Sequence, residues 1–192
     1  MKKGNYKSKT LLKFLPLAIG ALIITAYPAI KANKKRIKFS LPFKAIYDYN
    51  DILVTYVADG DTVKLEDGSW IRFIGIDTPE QHESDKLFRD ARRAKKDIAE
   101  IKKLGVKAYN FTKSMLLNKR VRLEFDVEKR DKYDRLLAYI FLKDGTFINA
   151  LIIKEGYGRT MNIAPNVKYA DLFRKLQIEA KSKEKGFWGT GY

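Results

Sequence analysis

Apolar and polar positions alternate most cleanly from Arg120 to Val127. Val121, Leu123, Phe125 and Val127 fall on one face and Arg122, Glu124 and Asp126 on the other. A period of two marks a half-buried strand. Upstream, Asp51 to Leu65 is rich in Val, Ile, Thr and Tyr and is interrupted once, by Ala58-Asp59-Gly60-Asp61. This pattern predicts two strands joined by a tight turn, with Gly60 free to adopt positive φ. Glu66-Asp67-Gly68-Ser69 is a second turn signal, Trp70 to Ile76 reads as a third strand, and Thr78-Pro79 stops it. Three strands so close together form a meander. Leu136 to Leu142 adds a further strand, which turns through Lys143-Asp144-Gly145-Thr146.

The period changes from two to helical elsewhere. Lys86 to Leu117 carries Ile98, Ile101, Val106, Tyr109 and Met115-Leu116 at helical spacing, with a break expected at Gly105. Phe147 to Glu155 reads as a short helix closed by Gly156, and Tyr169 to Lys185 as a last helix with Leu172, Phe173, Leu176 and Ala180 on one face. The expected class is mainly β with α (α+β). Closure removes exposed strand edges, which favours a small five-stranded barrel capped by helices over an open α+β sheet.

The N-terminus follows neither period. Phe14 to Ile30 is free of charge, with Lys2, Lys3, Lys7, Lys9 and Lys13 before it and Lys31, Lys34, Lys35, Arg36 and Lys38 after it. Its length lies between a signal-peptide core and a spanning helix. Residues 1–32 therefore read as a signal peptide or an N-terminal membrane anchor acting through 14–30, residues 33–49 as a linker, and 50–189 as the folded domain. Both flanks are basic, so the charge bias does not settle orientation; the leader nonetheless makes export the expectation, with the domain outside the cytoplasm, secreted or anchored to the membrane.

Charge and composition narrow the chemistry. Of the net +16, residues 1–47 hold 11 basic and no acidic residues, so the body is only mildly cationic. That permits a polyanionic partner without demanding one. With no Cys and one His, His82, among the 192 residues, thiolate nucleophiles, Cys-ligated zinc and two-histidine mechanisms are excluded. A metal site here would be built mostly from oxygen ligands.

Acidic residues and arginines interleave at the strand ends. In a meander the start of the second strand lies beside the end of the third, so Asp61 and Asp77 converge. Two carboxylates that meet need a cation between them, and a hard ion such as Ca²⁺ suits an oxygen site. Arg72 and Arg135 beside that cation call for a second anion, and a phosphodiester satisfies both. Glu80 is then placed to activate or orient a water. Each feature has a plainer reading: Asp59-Gly60-Asp61 as a turn, Thr78-Pro79-Glu80 as a helix or turn start, Arg72 paired with Glu66, Arg135 paired with Asp131 or Asp134.

Val57-Ala58-Asp59-Gly60-Asp61-Thr62-Val63, Ile71-Arg72-Phe73-Ile74-Gly75-Ile76-Asp77-Thr78-Pro79-Glu80 and Arg130-Asp131-Lys132-Tyr133-Asp134-Arg135 together resemble the staphylococcal nuclease (thermonuclease) family. Asn149 to Tyr157 and Ala180 to Trp188 extend the likeness over most of 50–189. The resemblance implies an OB-fold barrel and Ca²⁺-dependent endonucleolysis of DNA and RNA leaving 3′-phosphate ends, with single strands favoured and the enzyme acting as a monomer. It implies Asp61, Asp77 and the Thr78 carbonyl at the metal, Glu80 as the residue cast as general base, and Arg72 and Arg135 on the phosphate. The alternative is a non-catalytic OB-fold module binding nucleic acid or protein at a membrane. There are departures: Met161 and Ile163 stand where tyrosines approach the base, and Asp134 stands where Gly is common and is positioned to draw Arg135 away. Gln81 to Leu104 is longer and more charged than in the family's founding member, and reads as a solvated helix face. His82 reads as a solvated side chain near the site.

Overall fold

Five strands close on one another in this computed structural model, which describes residues 48–190. They are β1 (Ile52–Asp59), β2 (Thr62–Leu65), β3 (Trp70–Phe73), β5 (Arg120–Glu124) and β6 (Leu136–Leu142), and the barrel order is β1-β2-β3-β6-β5. Neighbours are antiparallel except β3 and β6, which run parallel with Arg72 opposite Leu137. The expected five-stranded α+β barrel is the observed one. The leader 1–32, its apolar stretch 14–30 and nearly all of the linker 33–49 lie outside the described residues. Among the described residues no helix is long and apolar enough to cross a membrane.

The barrel interior is filled by the inward-facing positions of every strand: Val54 and Val57, Val63 and Leu65, Ile71 and Phe73, Val121 and Leu123, Ala138 and Ile140. Among the described residues four helices accompany the barrel: α1 (Asp85–Ala94), α2 (Ile98–Leu116), α3 (Ile148–Lys154) and α4 (Ala170–Ser182). A second apolar cluster joins Leu87 and Ala91 of α1 to Ile101, Leu104 and Ala108 of α2 and to Phe187. Burying a side chain such as Leu87 or Ile101 is worth about 1.5–3 kcal/mol. This cluster fixes α1 against the body. Among the buried polar residues, Asn149 of α3 accepts from the Ile140 amide at 2.9 Å and donates to the Ile74 carbonyl at 2.9 Å, tying the helix to the barrel rim.

The structure departs from the sequence reading at five places. Trp70 to Ile76 is two strands, because the chain bends at Gly75, which has φ +80 and whose missing Cβ leaves room for the Phe173 ring. The bend sends β4 (Gly75–Asp77) out of the barrel to pair with a short strand that the pattern did not suggest, β7 (Arg159–Met161). The helical break lies at 95–97 rather than at Gly105: Lys95 ends α1 in the left-handed region with φ 51, and α2 runs through Gly105. Gly60 keeps an ordinary φ, and its role is close approach, since a Cβ there would lie 2.8 Å from Ala108 and from the Thr78 side chain. Finally, β5 ends at Glu124, and Val127 is 72% exposed. There the Asp126 carboxylate accepts from Tyr139 Oη at 2.9 Å and the Lys168 amide at 3.0 Å instead of facing solvent from a strand.

Candidate active site

The β1–β2 turn delivers the first acid. Asp59 caps the turn by accepting from the Asp61 amide at 3.0 Å, and Thr112 of α2 donates to the Gly60 carbonyl at 2.7 Å. Asp61 is thereby held 1% exposed. One of its oxygens accepts from the Thr78 amide at 2.8 Å and the Thr78 hydroxyl at 3.1 Å, and the other pairs with the Arg72 guanidinium. A buried carboxylate requires such partners.

The second acid comes from β4. Asp77 is 6% exposed and carries three cations. Arg72 Nη2 is 3.3 Å and Lys86 Nζ 3.0 Å from its Oδ1, while Arg159 grips its Oδ2 through Nε at 3.1 Å and Nη2 at 2.9 Å. Asp61 and Asp77 therefore converge as expected, on the guanidinium of Arg72. Arg159 also reaches Asp90 of α1 at 2.7 Å. The second Asp90 oxygen, Oδ2, is buried and has no hydrogen-bond partner.

Lys86, in the first turn of α1, closes the cluster. Its Nζ donates to the Thr78 carbonyl at 2.6 Å and to Glu80 Oε1 at 3.0 Å, besides pairing with Asp77. Glu80 thus meets the acids through Lys86. Its loop is fixed by Gln81, which donates to the Ala58 carbonyl at 2.7 Å, and by α2 passing underneath at Gly105.

Arg135 stands just ahead of β6 and lines a cavity of about 390 Å³ together with Arg72, Tyr133, Leu137, Met161 and Ile163. Of its two plainer partners, Arg135 takes Asp131: Nε and Nη2 lie 2.8 and 2.7 Å from Oδ2. Asp134 does not reach for it. It sits at φ 63, a conformation that glycine adopts readily, and its carboxylate pairs with Arg130 at 3.1 Å. Arg72 does not pair with Glu66, which meets Arg120 at 3.3 Å. His82 is exposed, as expected of a solvated side chain.

The electrostatics follow from burial and neighbours. Burial raises the Asp59 carboxyl above its ordinary value despite Arg72 and Lys86 nearby. Burial pushes Asp77 the same way, but Lys86, Arg72 and Arg159 outweigh it and hold its carboxyl below the usual range. Burial also lowers the Arg72 guanidinium, against the pull of Asp59 and Asp77. Among the described residues no three His, Cys, Asp or Glu side chains gather tightly enough to cage a metal by themselves. The donors present are nevertheless all oxygens. Three of them, the Thr78 carbonyl, Asp77 Oδ1 and Glu80 Oε1, already hold one cation, the Lys86 ammonium, at 2.6–3.0 Å. Such a set fits a hard cation.

The sequence reading singled out Asp61, Arg72, Asp77, Thr78, Glu80 and Arg135; the structure adds Lys86, Arg159 and Asp90 to the same network. Nothing in the local pattern marks Arg159, because the strand that carries it has three residues. Lys86 and Asp90 lie within a run read as a solvated helix face.

A five-stranded barrel with two arginines lining one cavity, and paired carboxylates in contact with one of them, is a framework suited to phosphodiester hydrolysis. The comparisons agree. The family model described as staphylococcal nuclease homologue matches residues 70–190. A thermonuclease of Staphylococcus intermedius is 41% identical over 139 residues, covering 71% of this chain and 74% of that one. A thermonuclease of Staphylococcus hyicus is 34% identical over 176 residues, covering 88% and 96%. The SPbeta prophage-derived endonuclease YokF of Bacillus subtilis is 34% identical over 148 residues, covering 74% of this chain but only 45% of that longer protein. The chain belongs to the staphylococcal nuclease family.

Proposed function

We propose that this protein is a calcium-dependent endonuclease that hydrolyses DNA and RNA, single strands preferentially, and leaves 3′-phosphate ends. It works as a monomer outside the cytoplasm, either freed from residues 1–32 or tethered through residues 14–30. The observation that carries the reading is that Arg72 and Arg135 line one cavity, with Arg72 also paired to the Asp61 and Asp77 carboxylates. The relatives named thermonuclease and endonuclease support it.

Asp61, Asp77 and the Thr78 carbonyl would hold calcium, which supplies Lewis-acid polarisation of a phosphate oxygen. Glu80 orients a water and takes its proton as the water attacks phosphorus in line. The P–O5′ bond breaks as the leaving O5′ takes up a proton from solvent, leaving a 5′-hydroxyl on one fragment and the 3′-phosphate on the other. Arg72 and Arg135 bind the non-bridging oxygens, and their donors match the charge that develops on the five-coordinate state. Asp131, which holds Arg135 through Nε and Nη2, fixes the guanidinium at the cavity that both residues line. Tyr133, Met161 and Ile163 offer an aromatic and apolar lining for an unstacked base, which supports a preference for single strands.

The test uses the full-length chain on denatured DNA, with Ca²⁺ or a chelator, and with Glu80→Ser as the control. The reading expects calcium-dependent cleavage that the substitution abolishes, with 3′-phosphate ends. Binding of DNA by the folded chain without cleavage would identify the non-catalytic OB-fold module instead.

A further inference from the structure

Lys86 is a cation that the chain itself inserts among the oxygens assigned above to the metal and the water. It lies in the first turn of α1, whose start is fixed by Ser84 accepting from the Leu87 amide at 3.2 Å and by Leu87 in the second apolar cluster. An ammonium has three donors and no acceptor. Lys86 directs them at three oxygens: the Thr78 carbonyl at 2.6 Å, Asp77 Oδ1 at 3.0 Å and Glu80 Oε1 at 3.0 Å.

Two cations cannot share that cradle. At hydrogen-bond spacing an ammonium and a divalent ion repel strongly wherever water is partly excluded. The side chain is nonetheless able to leave. Lysine is a compact charge on a flexible four-carbon stem, so it can rotate into solvent without any movement of α1. Its departure does not strip Asp77 of partners, because Arg72 and Arg159 remain on that carboxylate.

We propose that Lys86 is an internal competitor for the metal position: its ammonium fills the oxygen cradle until a divalent cation displaces it, and it thereby sets the calcium affinity of the enzyme. The inference rests on the metal reading made under Proposed function. It assigns a role in metal binding to one residue of the inserted helix, a segment whose charges otherwise read as a solvated face.

Calorimetric titration of the full-length protein with CaCl₂ alone, without nucleic acid, tests it. Wild type is compared with Lys86→Met, which removes the charge and keeps the stem, and with Lys86→Arg, which keeps the charge. Thermal unfolding in chelator verifies the fold of each, and Lys86→Gln replaces the Met variant if that one does not fold. The competitor role expects Lys86→Met to bind calcium about tenfold more tightly. That is the factor released when a closed state populated about nine-tenths of the time is removed. Lys86→Arg stays near the wild-type value. Calcium should also raise the unfolding midpoint more in Lys86→Met than in wild type. A folded, uncharged variant that binds calcium no more tightly than wild type overturns the proposal. Absence of calcium binding in every variant, with cleavage of denatured DNA continuing in chelator, overturns the metal reading and the proposal with it. Loss of that chelator-resistant cleavage in Lys86→Met would make the ammonium itself the working cation.

Discussion

Gly105 is the residue whose substitution tests how Glu80 is held. It lies inside α2, where replacing glycine by alanine ordinarily stabilises a helix by about 1 kcal/mol. Here the sign reverses. A Cβ at this position would stand 2.4 Å from both the carbonyl carbon and the carbonyl oxygen of Glu80, and 2.6 Å from the Gln81 amide. The atoms in the way are backbone and cannot rotate aside. Ordinary contact begins near 3.4 Å, so helix and loop must separate by about 1 Å. α2 is fixed by Ile101, Leu104 and Ala108 in the second apolar cluster, so the loop moves. Overpacking of this kind costs about 1–3 kcal/mol. A displacement of about 1 Å in a catalytic group can lower the rate about a hundredfold. Gly105→Ala should therefore lose about two orders of magnitude in the cleavage rate of denatured DNA at saturating calcium. It should also unfold at lower urea, although its helix propensity has improved. A variant that is more stable than wild type and cleaves at the wild-type rate would refute the argument that α2 positions Glu80.

Three further substitutions probe the cluster. Arg159→Met removes one grip on Asp77 and leaves Asp90 buried beside an apolar stem; it should cost about 3–5 kcal/mol in urea unfolding, and a loss under 1 kcal/mol would show the pair to be unimportant. Arg72→Met should lower kcat about 10²–10³-fold, the usual cost of one transition-state donor, in quenched-flow cleavage; a change confined to KM would assign Arg72 to binding alone. Asp59→Asn keeps the acceptor for the Asp61 amide and removes a charge that burial disfavours. Because the folded Asp59 carboxyl lies above its ordinary 3.8, ionisation opposes folding at neutral pH and ceases to do so as pH falls below that value. Asp59→Asn should raise the urea midpoint at pH 7, with the gain disappearing in acid. Asp77 has the opposite sign: held below 3.8, its ionised form supports folding above that pH, and the support is lost as pH falls through its lowered value. A lower midpoint for Asp59→Asn at pH 7 would contradict an upward shift of the Asp59 carboxyl.

Most barrel strands are legible because each is a short local pattern. Val121 and Leu123 alternate with charged neighbours, and Leu136–Leu142 has the limits that its pattern predicts. Errors arise where tertiary contact outweighs local preference. Gly75 looks like an interior strand residue, yet the Phe173 ring packed where its side chain would be requires the glycine and bends the chain there. Gly105 looks like a helix breaker, yet helix propensity is a weak preference, and packing against the Glu80 loop overrides it. Residues 95–97, where the break does occur, carry two lysines and an aspartate, with neither Gly nor Pro to announce it.

The site divides along the same physical line. Groups that face the cavity or the acids (Asp61, Arg72, Asp77, Glu80) fall within 20 residues of one another because consecutive strands of a meander share their ends. Sequence order therefore reports their convergence. The groups that hold them arrive from elsewhere in the chain. Arg159 is 82 residues from Asp77 and meets it only because the Gly75 bend releases β4 to pair with β7. Asp90 reaches Arg159 only because Leu87 and Ala91, one helical turn apart, bury α1 against α2. Lys86 precedes Leu87 on that helix, so the apolar anchor that fixes α1 also sets where the ammonium enters the oxygen cradle. A polar substitution at Leu87 should accordingly weaken the Lys86 contacts without touching any residue of the catalytic motifs. The charged run from Gln81 to Leu104 is a solvated face over much of its length, but its buried positions tie it to the oxygens around Lys86 and to Arg159.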